Sequence, residues 1–431
     1  MMDWVPGETM VPKRSQTHQD MLHVAVLATD GVPVAEIARQ LSFTLDKVYR
    51  LLRAADGAKL IQETRRFQFT DKSQASVKEQ KFARRNLQER SRKLQQELRD
   101  CIPTGGADGF QEVHVFEAGR PGESVESRLY YRQRFCKTAG LVIRELLEQA
   151  RIVVAAWGRL LRAVIEDQRC RGPLPTETAR NLIVIPARGE LSEGGQATEL
   201  SPGRIAQDLA VVLTGSVSAC RSFPGIPPFL PQIDEVDDPD HPEHRLAVLP
   251  ALSAAVLREY VRRNQAFCEV FGDPATQSTA KRTLINRADL ILTSLGTNDR
   301  FSIGPWNAQV LDASVRTQAE RQRLRDEMAA LAVGDFGGVM IPRAGCEERL
   351  EIWRQTWIGL TEDHLRDCVQ RAAKPKRRND RKPGVVVLAV AHESEDAARK
   401  AELVLHGLQR QIISRLLLDT QIADALVKIL K

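Results

Sequence analysis

From Leu22 to Ala55, apolar positions recur at helical spacing in three short blocks separated by turn-forming residues. Leu22, Ala25, Val26 and Leu27 make the stripe of a first helix, which Asp30-Gly31 stops. Pro33 opens a second helix, with Ile37, Ala38 and Leu41 facing inward. A tight connection at Ser42-Phe43 leads to Thr44, which is placed to cap a third helix. Val48, Leu51 and Leu52 anchor that helix, while Asp46, Lys47, Arg50 and Arg53 face outward. Polar and cationic residues on the outer face of a third short helix predict a helix-turn-helix. They make double-stranded DNA a candidate partner, with Arg39, Thr44, Asp46, Lys47, Arg50 and Arg53 as candidate contacts. A small helical hairpin with a solvated basic face has the same pattern.

Alternating apolar residues then flank a polar tip. Lys59-Leu60-Ile61 and Phe67-Gln68-Phe69 enclose Glu63-Thr64-Arg65-Arg66, which reads as a two-stranded wing with Arg65 and Arg66 beside the DNA backbone, or equally as an ordinary exposed hairpin. From Ser73 to Asp100 the chain lacks Pro and Gly. Leu87, Leu94 and Cys101 lie seven apart with Leu98 between, so the spacing predicts a linker helix with a coiled-coil stripe able to pair two subunits. Pro103-Thr104-Gly105-Gly106 ends it. The expected organisation is a helix-turn-helix domain over 1–72, a linker helix over 73–102 and a larger domain over 103–431.

In the larger part, short apolar runs alternate with helical patterns. Predicted strands are Val113–Phe116, Ile152–Ala155, Leu182–Ile185, Leu290–Ser294 and Val385–Ala391. Predicted helices are Leu141–Gln149, Leu160–Asp167, Arg204–Leu213, Leu252–Arg263, Ala313–Ala332 and Glu395–Leu408. Strands apolar throughout and separated by helices predict an α/β fold, a Rossmann-like doubly wound parallel sheet covered on both faces. Ligands collect at the carboxyl ends of such strands. Four segments fall there: Trp157-Gly158-Arg159, Leu295-Gly296-Thr297-Asn298-Asp299, the glycine-rich turn Val333–Gly338 with Asp335, and His392-Glu393-Ser394-Glu395. Glycines at such points let backbone N–H groups approach an anionic or polyhydroxyl ligand, although loops of this kind also occur for steric reasons.

Composition and charge sharpen this picture. The chain has 431 residues, enough for two or three domains, and no apolar run long enough to span a bilayer. Its start lacks an apolar signal core, and its 7 cysteines are scattered without a CxxC pair. These features predict a cytoplasmic protein without a membrane partner, zinc site or cofactor. The acidic, His-containing stretch Asp234–His244 reads as a solvated loop rather than a metal site. Between Arg39 and Lys93 there are 15 Lys/Arg against 6 Asp/Glu, a balance of +9, whereas the whole chain carries +6. The excess positive charge thus sits in the segment holding the predicted DNA reader, as phosphate binding requires.

Taken in order, several segments resemble those of the SorC/DeoR-type sugar-responsive bacterial transcriptional regulators. They are AAWGRLL at 155–161, LIVIPARGEL at 182–191, RIAQDLA at 204–210, RADLILTSLGT at 287–297, VGDFGG at 333–338, VVVLAVAHESEDAARKAELVLHG at 385–407 and IISRLLLDTQIADALVKIL at 412–430. The resemblance implies a sheet like those of glucosamine-phosphate deaminases and ribose-phosphate isomerases. It further implies a sugar or sugar phosphate as small-molecule effector, and a homodimer or homotetramer on an operator. On this basis the effector site is expected among Gly158, Arg159, Gly296, Thr297, Asn298, Asp335 and His392. The chain departs from the family pattern in two places. Leu160 stands where a Thr is usual, and Ala391-His392-Glu393-Ser394 where a Gly pair and a Lys are usual, so the effector is expected to be less anionic than a sugar phosphate, or to be presented differently. Long insertions at Arg221–Pro250 and in the basic Lys374–Pro383 run mark an outlying member. The expected function is sequence-specific transcriptional regulation without catalysis. The alternatives are an isomerase- or deaminase-like enzyme, using Asp335, His392 or Glu393 as base, and a DNA-binding assembly scaffold with a degenerate pocket.

Overall fold

The computed structural model describes residues 16–29, 32, 34–58, 61–62, 68–69, 89–102, 109–118, 125–188, 200–221, 259, 262–272, 283–297, 326, 329–354, 359–374, 382–391 and 393–431. The chain divides into two compact units, Met1–Leu87 and Gln88–Lys431.

The smaller unit contains three helices, α1 (Gln16–Thr29), α2 (Val34–Leu41) and α3 (Leu45–Gly57). Met21, Val24, Ala25 and Ala28 of α1 pack with Ile37 and Ala38 of α2 and with Val48, Leu51, Leu52 and Ala55 of α3. The inward face of α1 is therefore the i, i+3, i+4, i+7 series from Met21, and Leu27, expected inside, is only half-buried. Ser42 turns the chain between α2 and α3 with φ 55°, and the Phe43 N–H bonds the Ala38 carbonyl at 2.9 Å. Two short strands follow, β1 (Ile61–Gln62) and β2 (Gln68–Phe69), paired antiparallel with Ile61 opposite Phe69. Pro33, Arg65 and Arg66 lie outside the described residues.

The larger unit is built on an eight-stranded sheet. Six strands run parallel in the spatial order β3 (Glu112–Phe116), β10 (Arg415–Asp419), β9 (Gly384–Ala389), β6 (Leu290–Thr297), β4 (Ile152–Ala155), β5 (Ile183–Pro186). Two more, β7 (Ala332–Phe336) and β8 (Val339–Pro342), form an antiparallel hairpin on the far end of β6. Alternate residues along each strand supply two cores. Ile152, Val154, Val385, Val387, Leu416 and Leu418 enter one, and Val153, Ala155, Val386, Leu388 and Leu417 the other. The first core is covered by helix α4 (residues 89–101), α9 (Gln265–Phe271), α11 (Glu362–Ala373), α12 (Ser394–Gln409) and α13 (Thr420–Leu430). The second is covered by α5 (Val125–Glu148), α6 (Arg159–Arg171) and α8 (Pro202–Thr214). Burial on both faces is why the strand sequences read as continuous apolar runs. A short helix, α7 (Thr176–Arg180), precedes β5, and α10 (Glu347–Arg354) follows the hairpin.

The structure corrects several expectations. The predicted coiled-coil stripe faces inward: Leu94, Leu98 and Ile102 are buried in the first core with Phe110, Leu426 and Val427. An apolar seam on an amphipathic helix is satisfied by any apolar partner, and here the partner is the chain's own sheet layer. Val333–Gly338 is not a turn. Val333 to Phe336 are strand residues, and only Gly337-Gly338 turn. Gly296 and Thr297, expected in a loop, extend β6, and Ala332, expected in a helix, begins β7. Strand β10 and helices α10 and α11 had no counterpart in the predicted elements. Asp234–His244 lies outside the described residues, as does most of the predicted helices Leu252–Arg263 and Ala313–Ala332. Among the described residues no helix is long and apolar enough to cross a membrane, and no cluster of His, Cys, Asp and Glu has the arrangement of a metal site.

Candidate functional site

Helix α3 has a defined start. The Thr44 hydroxyl accepts the Lys47 N–H at 3.2 Å from an extended backbone (φ −70°, ψ 152°). With Val48, Leu51 and Leu52 fixed inward, Asp46, Tyr49, Arg50 and Arg53 are left exposed. Asp46 sits in the first turn, where a carboxylate complements the helix dipole. Lys47 does not project outward as expected. Its ammonium lies 2.9 Å from the Asp20 carboxylate and 3.4 Å from the centre of the Phe43 ring, tying α3 to α1. Arg39 is held by Glu36, with bonds of 2.7 and 2.9 Å, and that contact keeps the Glu36 carboxyl below its ordinary range. Arg50 and Arg53 have no ion-pair partner among the described residues. Tyr49 was missed by the sequence reading. An aromatic between an inward Val and an outward Arg is its signal, and it is 52% exposed.

In the larger unit the carboxyl ends of β4 and β6 meet where the winding direction reverses, since β4 leads on to β5 and β6 leads the opposite way to β9. From β4 the chain passes through Trp157 into Gly158, whose φ of 104° favours glycine, and α6 begins at the exposed Arg159 with no side chain capping its first turn. The β7–β8 hairpin folds onto this point. A Cβ on Gly337 would lie 2.9 Å from the Ala156 Cβ and 2.7 Å from the Thr293 hydroxyl, so the turn closes against both strands. Within the hairpin Gly296 is paired with Asp335 and Thr297 with Gly334. Asp335 is buried, its Oδ1 accepting the Gly338 N–H at 2.6 Å, and burial raises its carboxyl to about 6. Thus Gly296, Thr297 and Asp335 come together near the β4–α6 connection that carries Gly158 and Arg159. Asn298 and His392 lie outside the described residues.

Further residues at this edge were not singled out from the sequence. Arg188 follows β5, is 3% exposed, and stands over the Trp157 ring at 5.9 Å; burial lowers it to about 9. An arginine directly after an apolar strand was its only signal. The end of β9 is held from three sides. Asp419, at the end of β10, accepts the Ala391 N–H at 2.7 Å and the Ile422 N–H at 2.9 Å, thereby capping α13. Lys400 donates to the Val390 carbonyl at 2.7 Å, and Gln421 donates to the Ala391 carbonyl at 3.4 Å and to the Tyr131 hydroxyl of α5 at 2.7 Å. Burial raises Asp419 to about 6, against the hydrogen bonds it accepts. In the RIAQDLA segment Asp208 pairs with Arg204 on α8 and with Arg162 on α6, locking those helices side by side.

No protein-family model matches the chain, and no curated protein matches it by sequence. Among solved structures the fold is similar to the full-length sorbitol operon regulator SorC from Klebsiella pneumoniae, with 15% identity over 95% of this chain and 98% of that one and a TM-score of 0.46. It is similar to a DeoR family transcriptional regulator from Listeria monocytogenes, with 16% identity over 78% and 99% of the two chains and a TM-score of 0.44. It also resembles a putative sugar-binding domain of a transcriptional repressor from Vibrio fischeri, at 18% identity, 79% and 99% coverage and a TM-score of 0.44.

Proposed function

We propose that this chain is a DNA-binding regulator whose larger unit takes a small sugar-like effector. The observation that carries the reading is the outer face of α3. A helix capped by Thr44 and anchored by Val48, Leu51 and Leu52 presents Tyr49, Arg50 and Arg53 to solvent, and the two guanidiniums have no carboxylate partner among the described residues. The major groove of B-DNA, about 12 Å wide, admits one such helix, and arginine reads guanine edges or grips phosphate through paired N–H groups. Arg39 and Lys47, already compensated by Glu36 and Asp20, contribute less to that face. Residues 1–72 act as the reader, and the larger unit, which takes in α4, acts as the effector and assembly unit. The α4 stripe is consumed by the chain's own core, so a homodimer or homotetramer forms through other surfaces of the larger unit.

The effector sits at the carboxyl edge of the sheet, where the β4–β6 reversal makes a crevice. Trp157 offers a ring face, and Arg159 and Arg188 supply cations for an anionic or strongly polar oxygen. Gly158, Gly296, Thr297, Asn298 and His392 complete the candidate site. The reading involves no catalytic step. Asp335, one candidate base, faces into its own hairpin and bonds Gly338, which leaves it poorly placed to take a substrate proton.

A gel-shift series on the chain's own promoter region tests the reading. Arg50→Ala and Arg53→Ala should each weaken specific binding by about 1–3 kcal/mol for a lost base contact, or flatten the salt dependence for a lost phosphate contact, with unchanged helical content. Absence of any salt-dependent site preference in the wild-type protein refutes it.

A further inference from the structure

The opposite, amino-terminal edge of the sheet holds a cavity of about 560 Å³, open between the starts of β4, β5, β6 and β9. Arg151, Asn181, Arg287, Asp289 and Lys382 line it. Asp289 is fully engaged. Its Oδ2 accepts the backbone N–H groups of Arg151 at 2.8 Å and Ile152 at 3.2 Å, and its Oδ1 lies 3.1 Å from the Lys382 ammonium. Among the described lining residues the one carboxylate, Asp289, is therefore paired with the one lysine. The guanidiniums of Arg151 and Arg287 come from separate segments and are exposed, and neither has an ion-pair partner among the described residues.

We propose that this cavity is an anion site, separate from the carboxyl-edge crevice, that takes a small molecule bearing two or more phosphate groups. Its volume lies within the roughly 300–1,000 Å³ typical of ligand sites. Two arginines from different segments line the cavity, and a guanidinium matches the paired acceptor oxygens of phosphate better than a point charge does. A net positive cavity also raises the local concentration of anions at its mouth. The strand-end N–H groups of Arg151 and Ile152 are already capped by Asp289, so side chains rather than backbone do the binding. A diphosphate carries more charge and more acceptor oxygens than a monophosphate, and so satisfies two guanidiniums and a lysine more fully.

Calorimetric titration of the full chain with sodium pyrophosphate at low salt tests this. Saturable binding is expected, weakened about tenfold or more in Arg151→Ala and again in Arg287→Ala, as for loss of a charge-assisted hydrogen bond. Arg169→Ala, an exposed cation on α6 outside the cavity, should leave binding unchanged. Both cavity arginines are exposed, and equal melting temperatures without ligand establish that the variants are folded. Failure of the wild-type chain to bind pyrophosphate saturably overturns the proposal, as does undiminished binding in both variants. If the variants instead lose affinity for random-sequence duplex DNA while binding pyrophosphate normally, the edge is a nucleic-acid contact and the small-anion site is refuted.

Discussion

Asp335 keeps its carboxyl group inside the β7–β8 hairpin, packed on Gly296 and bonded to the Gly338 N–H, and burial raises it to about 6. The folded protein therefore holds this proton more tightly than the unfolded chain, whose carboxyl has the ordinary value of 3.8. The resulting contribution to stability is complete below pH 3.8 and is lost as the pH climbs through about 6. Asp335→Asn retains an oxygen for Gly338 and removes the titration. The variant should gain on the wild type by about 2–3 kcal/mol between pH 4 and pH 7.5. Asp419 titrates in the same direction in both proteins, so the measurement is the difference between their unfolding free energies across that range. A difference independent of pH would show that Asp335 is not buried as a lone carboxyl. The residue was visible in the sequence as the one acid in a glycine-rich stretch. Its burial was not, because burial depends on β6 extending three residues beyond its predicted end to meet it.

Among the elements, α4 separates most clearly what a pattern can and cannot say. The heptad-like spacing of Leu94, Leu98 and Cys101 reported an apolar face and not the partner of that face. Leu98 is fully buried against the sheet layer, so Leu98→Ala should lower stability by about 2–5 kcal/mol, as a cavity-forming core substitution does. Sedimentation should show the oligomeric state unchanged, whereas dissociation into monomers without loss of stability would restore the coiled-coil reading. The hairpin was obscured for a related reason. Gly334 reads as a turn residue, yet it lies mid-strand because a Cβ there would collide with the Gly296 carbonyl and the Leu403 side chain. By contrast β4 and β9 were legible almost residue by residue, since strands buried on both faces cannot tolerate polar positions.

At the scale of the whole molecule, two compact units carry the proposed reading and sensing roles. A fragment ending at Leu87 should keep the α1–α3 core and bind DNA more weakly than the full chain, because a lone reader lacks the effective concentration that linked readers provide. A fragment extended to Ile102 should be less soluble, since Leu94, Leu98 and Ile102 would lose the core that covers them. Light scattering of the two fragments compares them directly, and equal solubility would mean that α4 finds another partner. The sequence by itself determined the three-helix pattern and Thr44 cap, the parallel α/β class, the positions of five strands along the chain and the local excess of positive charge. Each follows from periodicity, capping chemistry or charge, which neighbouring residues specify. Only the tertiary structure decided that Lys47 is bound to Asp20, that Asp335 and Arg188 are buried, and that Arg151, Arg287 and Lys382 share one cavity. Those facts depend on segments distant in the chain meeting at a sheet edge or a core. Burial and charge pairing are properties of such meetings, and a local pattern does not encode them.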